Sequence, residues 1–317
     1  MDIHALYKKL TQEQKRAFIA KATLEFNNDI STRIQQATTH CPHCESNNIA
    51  SRGSCRGTKR YKCKECNKSF SSKTETAFHY TKKPLTTWKK YIDLMFSSQM
   101  PLRKIAKLTD ISLPTAFYWR HKVLNALKAI QSEQLNGVVE TDETLFPLSY
   151  KGKKKDMPRK ARKRGGIKGA GITKDHACVL AAIDRTQTKS KLLQSVCLGR
   201  PTTQQITDAL GSHIASDTIL ITDKHRSYLG FARDMNLKHY ALKTRTFQDR
   251  SIHLQNVNSL HRQVKRFLHP FNGVATKYLD NYMTYYKWNG QDVAGMLAQN
   301  TASVTCADLT AMQMRLK

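Results

Sequence analysis

Two sets of side chains in this 317-residue sequence have the type and spacing to do chemistry: paired cysteines near its start and aspartates set among apolar strands. Cys41-Pro42-His43-Cys44 and Cys63-Lys64-Glu65-Cys66 are two Cys-x-x-Cys knuckles separated by 18 residues. A two-residue spacer lets both sulfurs of a knuckle point at one ion. Four thiolates, from Cys41, Cys44, Cys63 and Cys66, can therefore close a tetrahedral structural zinc site. A redox dithiol would need only one knuckle and a βαβ setting, and that pattern does not surround these residues. Cys55, His40 and His43 flank the knuckles as spectators, while Cys178, Cys197 and Cys306 sit among apolar neighbours and read as small core residues.

Asp142 lies in the β-rich run Val138 to Phe146, and Asp223 ends the run Thr218 to Thr222. If these strands are parallel and adjacent, the two carboxylates meet at one edge of a sheet. Asp184 ends a strand that runs the other way in a meander, which leaves it at the far edge. Carboxylates at close quarters repel unless a divalent cation lies between them, so magnesium or manganese follows. Such a site can activate the attacking oxygen and stabilise the leaving oxygen of a phosphodiester. Aspartates at strand ends also serve as turn formers and caps, and the residues by themselves leave that reading open. Strand alternation puts Glu140 on the Asp142 face in a supporting role. Glu143 falls on the other face, as a solvated edge.

The elements that must position these groups are legible from periodicity. An amphipathic helical segment occupies residues 1–35 and a zinc ribbon with a short hairpin residues 36–80. Over 81–130, Leu85 to Ser98 is helical, Pro101 breaks the pattern, and Leu102 to Leu108 leads through a short turn to a helix that Ser112 caps. This layout predicts a helix-turn-helix in which Thr115, Tyr118, Trp119 and Lys122 reach base edges or phosphates. An ordinary helical hairpin with core aromatics is the plainer alternative. From Gly137 the pattern becomes strands, then alternating helices and strands: an α/β domain over 135–295, with a tail at 296–317.

Charge points to the partner. Lys plus Arg number 53 against 24 Asp plus Glu, a formal net charge of +29 in a chain of ordinary hydrophobic content, so a polyanion is expected. Double-stranded DNA is the expected ligand, because Lys and Arg release the counterions condensed on its phosphates. Residues 151–168 carry ten Lys or Arg and one Asp. This segment reads as a backbone clamp using Lys153, Lys154, Arg159, Lys160, Arg162, Lys163 and Arg164. The apolar runs are too short to span a bilayer and the first ten residues lack a signal-peptide core, so a cytoplasmic, nucleoid-associated protein is expected.

Several ordered motifs resemble the IS1595 (ISXO2-like) insertion-sequence transposases: Val139 to Thr144, Met157 to Gly166, the Thr222-Asp223 step, Asn256 to Phe267 and Phe271 to Tyr282. The resemblance covers most of the chain. It implies an RNase H-like catalytic domain with a DDE-type site, preceded by the zinc ribbon and helix-turn-helix. It also implies a transposase that binds the terminal inverted repeats of its element, cleaves phosphodiester bonds and joins 3′-hydroxyl ends to target DNA, as an oligomer on that DNA. Carried onto this sequence, the first two acids are Asp142 and Asp223, the third ligand is Asn258, and Lys265 seven residues on contacts the strand. Two turns of helix put Asn258 and Lys265 on one face, and His261, on that same face, is the rival third ligand. A non-catalytic DNA-binding regulator, or a nuclease without strand transfer, would carry the same fold.

Overall fold

The computed structural model describes residues 11–17, 38–55, 57–74, 76–128, 134–153, 157–158, 171–242, 251–291, 293 and 297. The chain divides into two compact units, Met1–Ile130 with Asn289–Lys317, and Gln131–Trp288. Of the N-terminal segment only 11–17 and 38 onward are described, with helix over 12–17. No helix among the described residues is long and apolar enough to cross a membrane.

In the first unit, β1 (Ile49–Cys55), β2 (Thr58–Cys63) and β3 (Ser69–Ser71) form an antiparallel sheet in that order. β1 and β2 are the hairpin expected between the knuckles. Gly57 turns it with φ +72°, a left-handed conformation open to glycine at little cost. β3 folds back on β2 and stacks Phe70 on Tyr61, ring centroids 5.4 Å apart. Three helices follow: α1 (Leu85–Ser98), α2 (Leu102–Leu108) and α3 (Leu113–Lys128). Pro84 and Pro101 stand at the N-caps of α1 and α2 in extended backbone, and so separate each helix from the chain before it. Ser112 Oγ accepts the Thr115 N–H at 3.2 Å, the cap expected for α3.

The structure corrects the reading of α3 as an exposed recognition helix. Trp119 and Lys122 are buried. Trp119 stacks on Trp88 of α1 with centroids 3.7 Å apart, and Lys122 donates to the carbonyl of His79, its ammonium pulled down to about 8 by burial. Ala116, Arg120, His121, Val123, Leu124, Ala126 and Leu127 are also buried, so neighbouring segments cover the helix around most of its circumference and take Trp119 and Lys122 inside. Thr115 and Tyr118 are half-buried, and the Thr115 hydroxyl is engaged by that of Ser112 at 2.8 Å.

The second unit is built on one five-stranded sheet of β4 (Val138–Pro147), β5 (His176–Asp184), β6 (Lys191–Leu198), β7 (Ile219–Asp223) and β8 (Lys238–Leu242), ordered β6-β5-β4-β7-β8. β4, β5 and β6 form an antiparallel meander, and β7 and β8 add on in parallel. The parallel additions need crossovers, which α4 (Thr203–Leu210) and α5 (Arg226–Asp234) supply. A Thr202–Gln205 capping box starts α4. Gly230 lets α5 approach α4, since a Cβ there would stand 2.7 Å from Thr203 Oγ1. Val139, Leu180 and Leu220 of the sheet pack with Ile206 of α4 and Tyr228 and Phe231 of α5. The other face carries α6 (Gln255–Leu268), whose buried Val257, Leu260, His261, Val264, Phe267 and Leu268 recur at helical spacing, and α7 (Leu279–Lys287).

Candidate active site and cysteine cluster

Register decides where the two aspartates stand. β4 and β7 pair in parallel as Val138 with Ile219, Val139 with Leu220 and Glu140 with Ile221. Two residues further along the same register, Asp142 falls opposite Asp223. Side chains alternate along a strand, so Val139 and Leu220 enter the core beneath α4 and α5 while Glu140, Asp142 and Asp223 share the opposite face. That is the face covered by α6, which delivers His261: its Nδ1 lies 4.0 Å from Asp142 Oδ2.

The electrostatics are those of a crowded acidic site. Desolvation, then the charges of Glu143 and Asp223, push the Asp142 carboxyl up to about 7. Burial, then the charge of Lys265, pulls His261 down to about 4, which keeps the imidazole neutral. Its Nε2 is buried without a hydrogen-bond partner among the described residues. Asn258 and Lys265 are exposed on the same helix, one turn to either side of His261. Two neighbouring carboxylates with a neutral imidazole 4.0 Å from one of them are donors of the kind that Mg²⁺ or Mn²⁺ can take.

Asp184 is the strand-end aspartate that proves to be a turn former. It pairs with Val139, at the other end of β4 from Pro147, and accepts from Thr186 N, Thr186 Oγ1 and Ser190 N at 2.6–3.2 Å. Glu143 departs from the solvated edge expected for it: Oε2 accepts the hydroxyl of buried Tyr228 at 2.8 Å. Glu140, expected in support, is fully buried and ion-paired with Arg185, Nε to Oε1 2.8 Å. Arg185, His253 and Tyr228 carried no signal in the sequence, because a partner 45 to 113 positions away has no local pattern.

The four knuckle cysteines converge in the first unit. The sulfurs of Cys41, Cys44, Cys63 and Cys66 all lie within 4.8 Å of one another, and among the described residues no other His, Cys, Asp or Glu group is gathered so tightly. Cys41 and Cys66 are 3.7 Å apart and Cys44 and Cys63 3.6 Å. Zn–S bonds of about 2.3 Å place tetrahedral sulfurs about 3.8 Å apart, so the cluster is of the size that could bind zinc. The N–H groups of Cys66 and Glu65 hold the Cys63 thiol down at about 7, while burial pushes Cys41 up and desolvation with the three neighbouring thiols pushes Cys44 up to about 12, so the metal-free cluster favours one thiolate among protonated thiols. Cys55 is exposed on β1, outside the cluster. Cys178 is buried and faces Cys197 directly across β5 and β6, a proximity that spacing did not reveal.

Beside the ribbon runs a groove of about 760 Å³ edged by Arg60, Lys73, Lys82 and Lys83, with Tyr80 stacked on His79 at 4.0 Å. Arg60, Lys82 and Lys83 are exposed and Lys73 is half-buried, whereas Trp119 and Lys122 are buried. Lys153 is exposed. Lys154, Arg159, Lys160, Arg162, Lys163 and Arg164 lie outside the described residues, as do Cys306 and most of the tail.

The stretch that builds the sheet and α6 matches the ISXO2-like transposase domain over residues 134–289. The match takes in the whole five-stranded sheet together with α4 to α7. A protein of Halobacterium salinarum, described as an uncharacterized protein in transposable element ISH50, is 24% identical over 252 residues, which cover 78% of this chain and 84% of that relative. That alignment is longer than the transposase domain, so it includes sequence outside 134–289. Within the domain, Asp142, Asp223 and His261 stand together on one face of the sheet, while Asn258 and Lys265 are exposed on the same helix as His261.

Proposed function

We propose that this chain is a metal-dependent DNA transposase that binds the terminal inverted repeats of its insertion sequence, cleaves phosphodiester bonds and joins the freed 3′-hydroxyl ends to target DNA. The observation that carries the reading is the β4–β7 register, which sets Asp142 beside Asp223 on the face covered by α6. A sheet of three antiparallel strands with two parallel additions, ordered β6-β5-β4-β7-β8, supports an RNase H-like domain with a DDE-type site.

Asp142, Asp223 and Asn258 would hold Mg²⁺ or Mn²⁺, and the bound ions supply activation of the attacking oxygen and stabilisation of the leaving one. Asn258 is retained as the third donor because it is exposed on α6, one turn before His261 and two turns before Lys265. His261, buried and neutral against Asp142, orients that carboxylate. Lys265 holds the phosphate backbone of the strand beside the site. The cysteine cluster holds structural zinc, and with the helical region of the first unit it contributes DNA contacts through exposed Lys and Arg. Element ends and target are double-stranded DNA, engaged by more than one copy of the chain.

The test is cleavage and strand transfer on DNA bearing the element ends. Asp142→Asn and Asp223→Asn should each lose the several kcal/mol that the metal site contributes, a fall of about 10³-fold or more, while DNA binding is kept or tightened. Wild-type cleavage by either variant would remove that residue from the site.

A further inference from the structure

Locally, the start of helix α6 is met by one long contact, His253 Nδ1 accepting the Gln255 N–H at 3.3 Å. Its N-cap residue, Leu254, provides no side-chain hydrogen bond, and its first turn contains no acidic residue. The first N–H groups of a helix have no partner within it, so a helix that starts this way is held by tertiary contacts or frays. Glu140 supplies the contact from β4. Its carboxylate accepts the backbone N–H groups of Asn256 at 2.8 Å and Val257 at 3.1 Å, together with the Asn256 side-chain amide. The same carboxylate is paired with Arg185, whose other nitrogens donate to the carbonyls of His253 and Ser251, immediately before the helix.

The far end is held by the opposite charge from the same stretch of chain. Lys151, four residues past the end of β4, donates from Nζ to the carbonyls of Phe271, Asn272 and Gly273 at 3.0, 3.0 and 2.8 Å. A carboxylate at the helix start and an ammonium beyond its end both complement the backbone dipole. The strand that bears Asp142 therefore also grips the helix that bears Asn258 and Lys265. Asn258 follows Val257 directly, and each residue turns a helix by about 100°. A first turn released from Glu140 would swing Asn258 away from the carboxylates.

We propose that Glu140 is a positioning residue of the active site: as a remote cap on α6, it sets the register at which Asn258 and Lys265 meet Asp142 and Asp223. The role rests on the functional reading given above. It assigns Glu140 no contact with metal or DNA; it acts through the helix, as partners of metal ligands do.

The probe is Mn²⁺, titrated into the full-length, zinc-loaded protein and followed by the electron paramagnetic resonance signal of the free ion. Glu140→Gln keeps the shape and one accepting oxygen but removes the charge that holds Arg185, and should weaken Mn²⁺ binding about 10- to 100-fold. The same variant should shift the Mg²⁺ midpoint of cleavage upward and recover rate at high Mg²⁺. A purely structural role would lower the melting temperature and leave the Mn²⁺ affinity of the folded protein unchanged, and that result overturns the proposal. Should Glu140→Gln fail to fold, Asn256→Ala removes one donor and leaves both backbone bonds. It should weaken Mn²⁺ binding several-fold, and wild-type affinity there is equally decisive against the idea. Asp142→Asn is run in parallel. Unchanged Mn²⁺ binding in that variant sinks the metal-site reading itself, whereas loss in Asp142→Asn beside no change in Glu140→Gln sinks only the role of Glu140.

Discussion

His261 Nδ1 stands 4.0 Å from Asp142 Oδ2, a neutral ring against a carboxyl that burial and two neighbouring acids hold at about 7. The contact joins α6 to β4 where the sheet gathers its acidic residues. It also gives the site a pH dependence with a definite sign. In the metal-free protein, Asp142 binds its proton more tightly folded than unfolded. The folded state therefore holds more protons between about pH 4 and pH 7, and stability falls as pH rises through that window. The ceiling is about 4 kcal/mol, at about 1.4 kcal/mol for each tenfold change in proton affinity, and the partial exposure of the side chain reduces it. Asp142→Asn should flatten this component when melting temperatures of the two full-length proteins are subtracted at each pH. A difference that stays constant from pH 4 to 7 would show that Asp142 titrates normally.

Metal should compete with that proton. Binding of Mg²⁺ or Mn²⁺ should strengthen as pH rises from 6 to 8, because the ion needs the ionised carboxylate. Isothermal titration across this range checks it, and a flat profile would count against Asp142 as a ligand.

The third donor separates by a pair of variants. Asn258→Ala should lower cleavage at limiting Mg²⁺ with partial recovery at high Mg²⁺, since losing one oxygen weakens ion binding before it removes the chemistry. His261→Ala should instead admit water to Asp142 and shift the pH profile of metal binding downward, with cleavage largely retained at saturating Mg²⁺. If the metal-rescuable defect appears in His261→Ala while Asn258→Ala cleaves normally, the third ligand lies one helical turn further along. Lys265→Ala should weaken DNA binding and reduce its salt slope by about 1 without changing the metal requirement.

Zinc coordination is folding free energy for a sheet as small as β1–β3. Cys63→Ser or chelation should unfold the ribbon and leave the 131–288 unit folded, read as loss of bound zinc with retained cooperative melting of that unit. Full zinc content in Cys63→Ser would exclude the four-thiolate site.

DNA contacts in the first unit should follow exposure. Lys122→Met should leave DNA affinity and salt slope unchanged, because the ammonium is buried against His79. Replacing Lys82 and Lys83 with Ala, at the rim of the ribbon groove, should weaken binding and lower the slope by about 2, one for each phosphate contact. Equal affinity before and after the double replacement would take the groove out of the interface.

Local pattern in the sequence carried much of this protein. The Cys-x-x-Cys pairs specify their own cluster, since two residues of spacer suffice to aim two sulfurs at one point. The apolar runs from Val138, Ala177, Leu192 and Thr218 mark four strands because side-chain alternation and β-branching act within a few residues. Prolines 84 and 101 and Ser112 mark helix limits for the same reason. Only tertiary structure decided the rest. No local pattern told that Trp119 and Lys122 turn inward, because that depends on the Trp88 surface of another helix. Nor did it reveal that Glu140, adjacent in sequence to a candidate site, closes the start of a helix more than a hundred residues later. Burial pushes Asp142 to about 7 only once β7 brings Asp223 alongside and α6 covers the face. Spacing and periodicity are properties of neighbours along the chain, whereas desolvation, remote capping and strand register exist only when distant segments exclude water together.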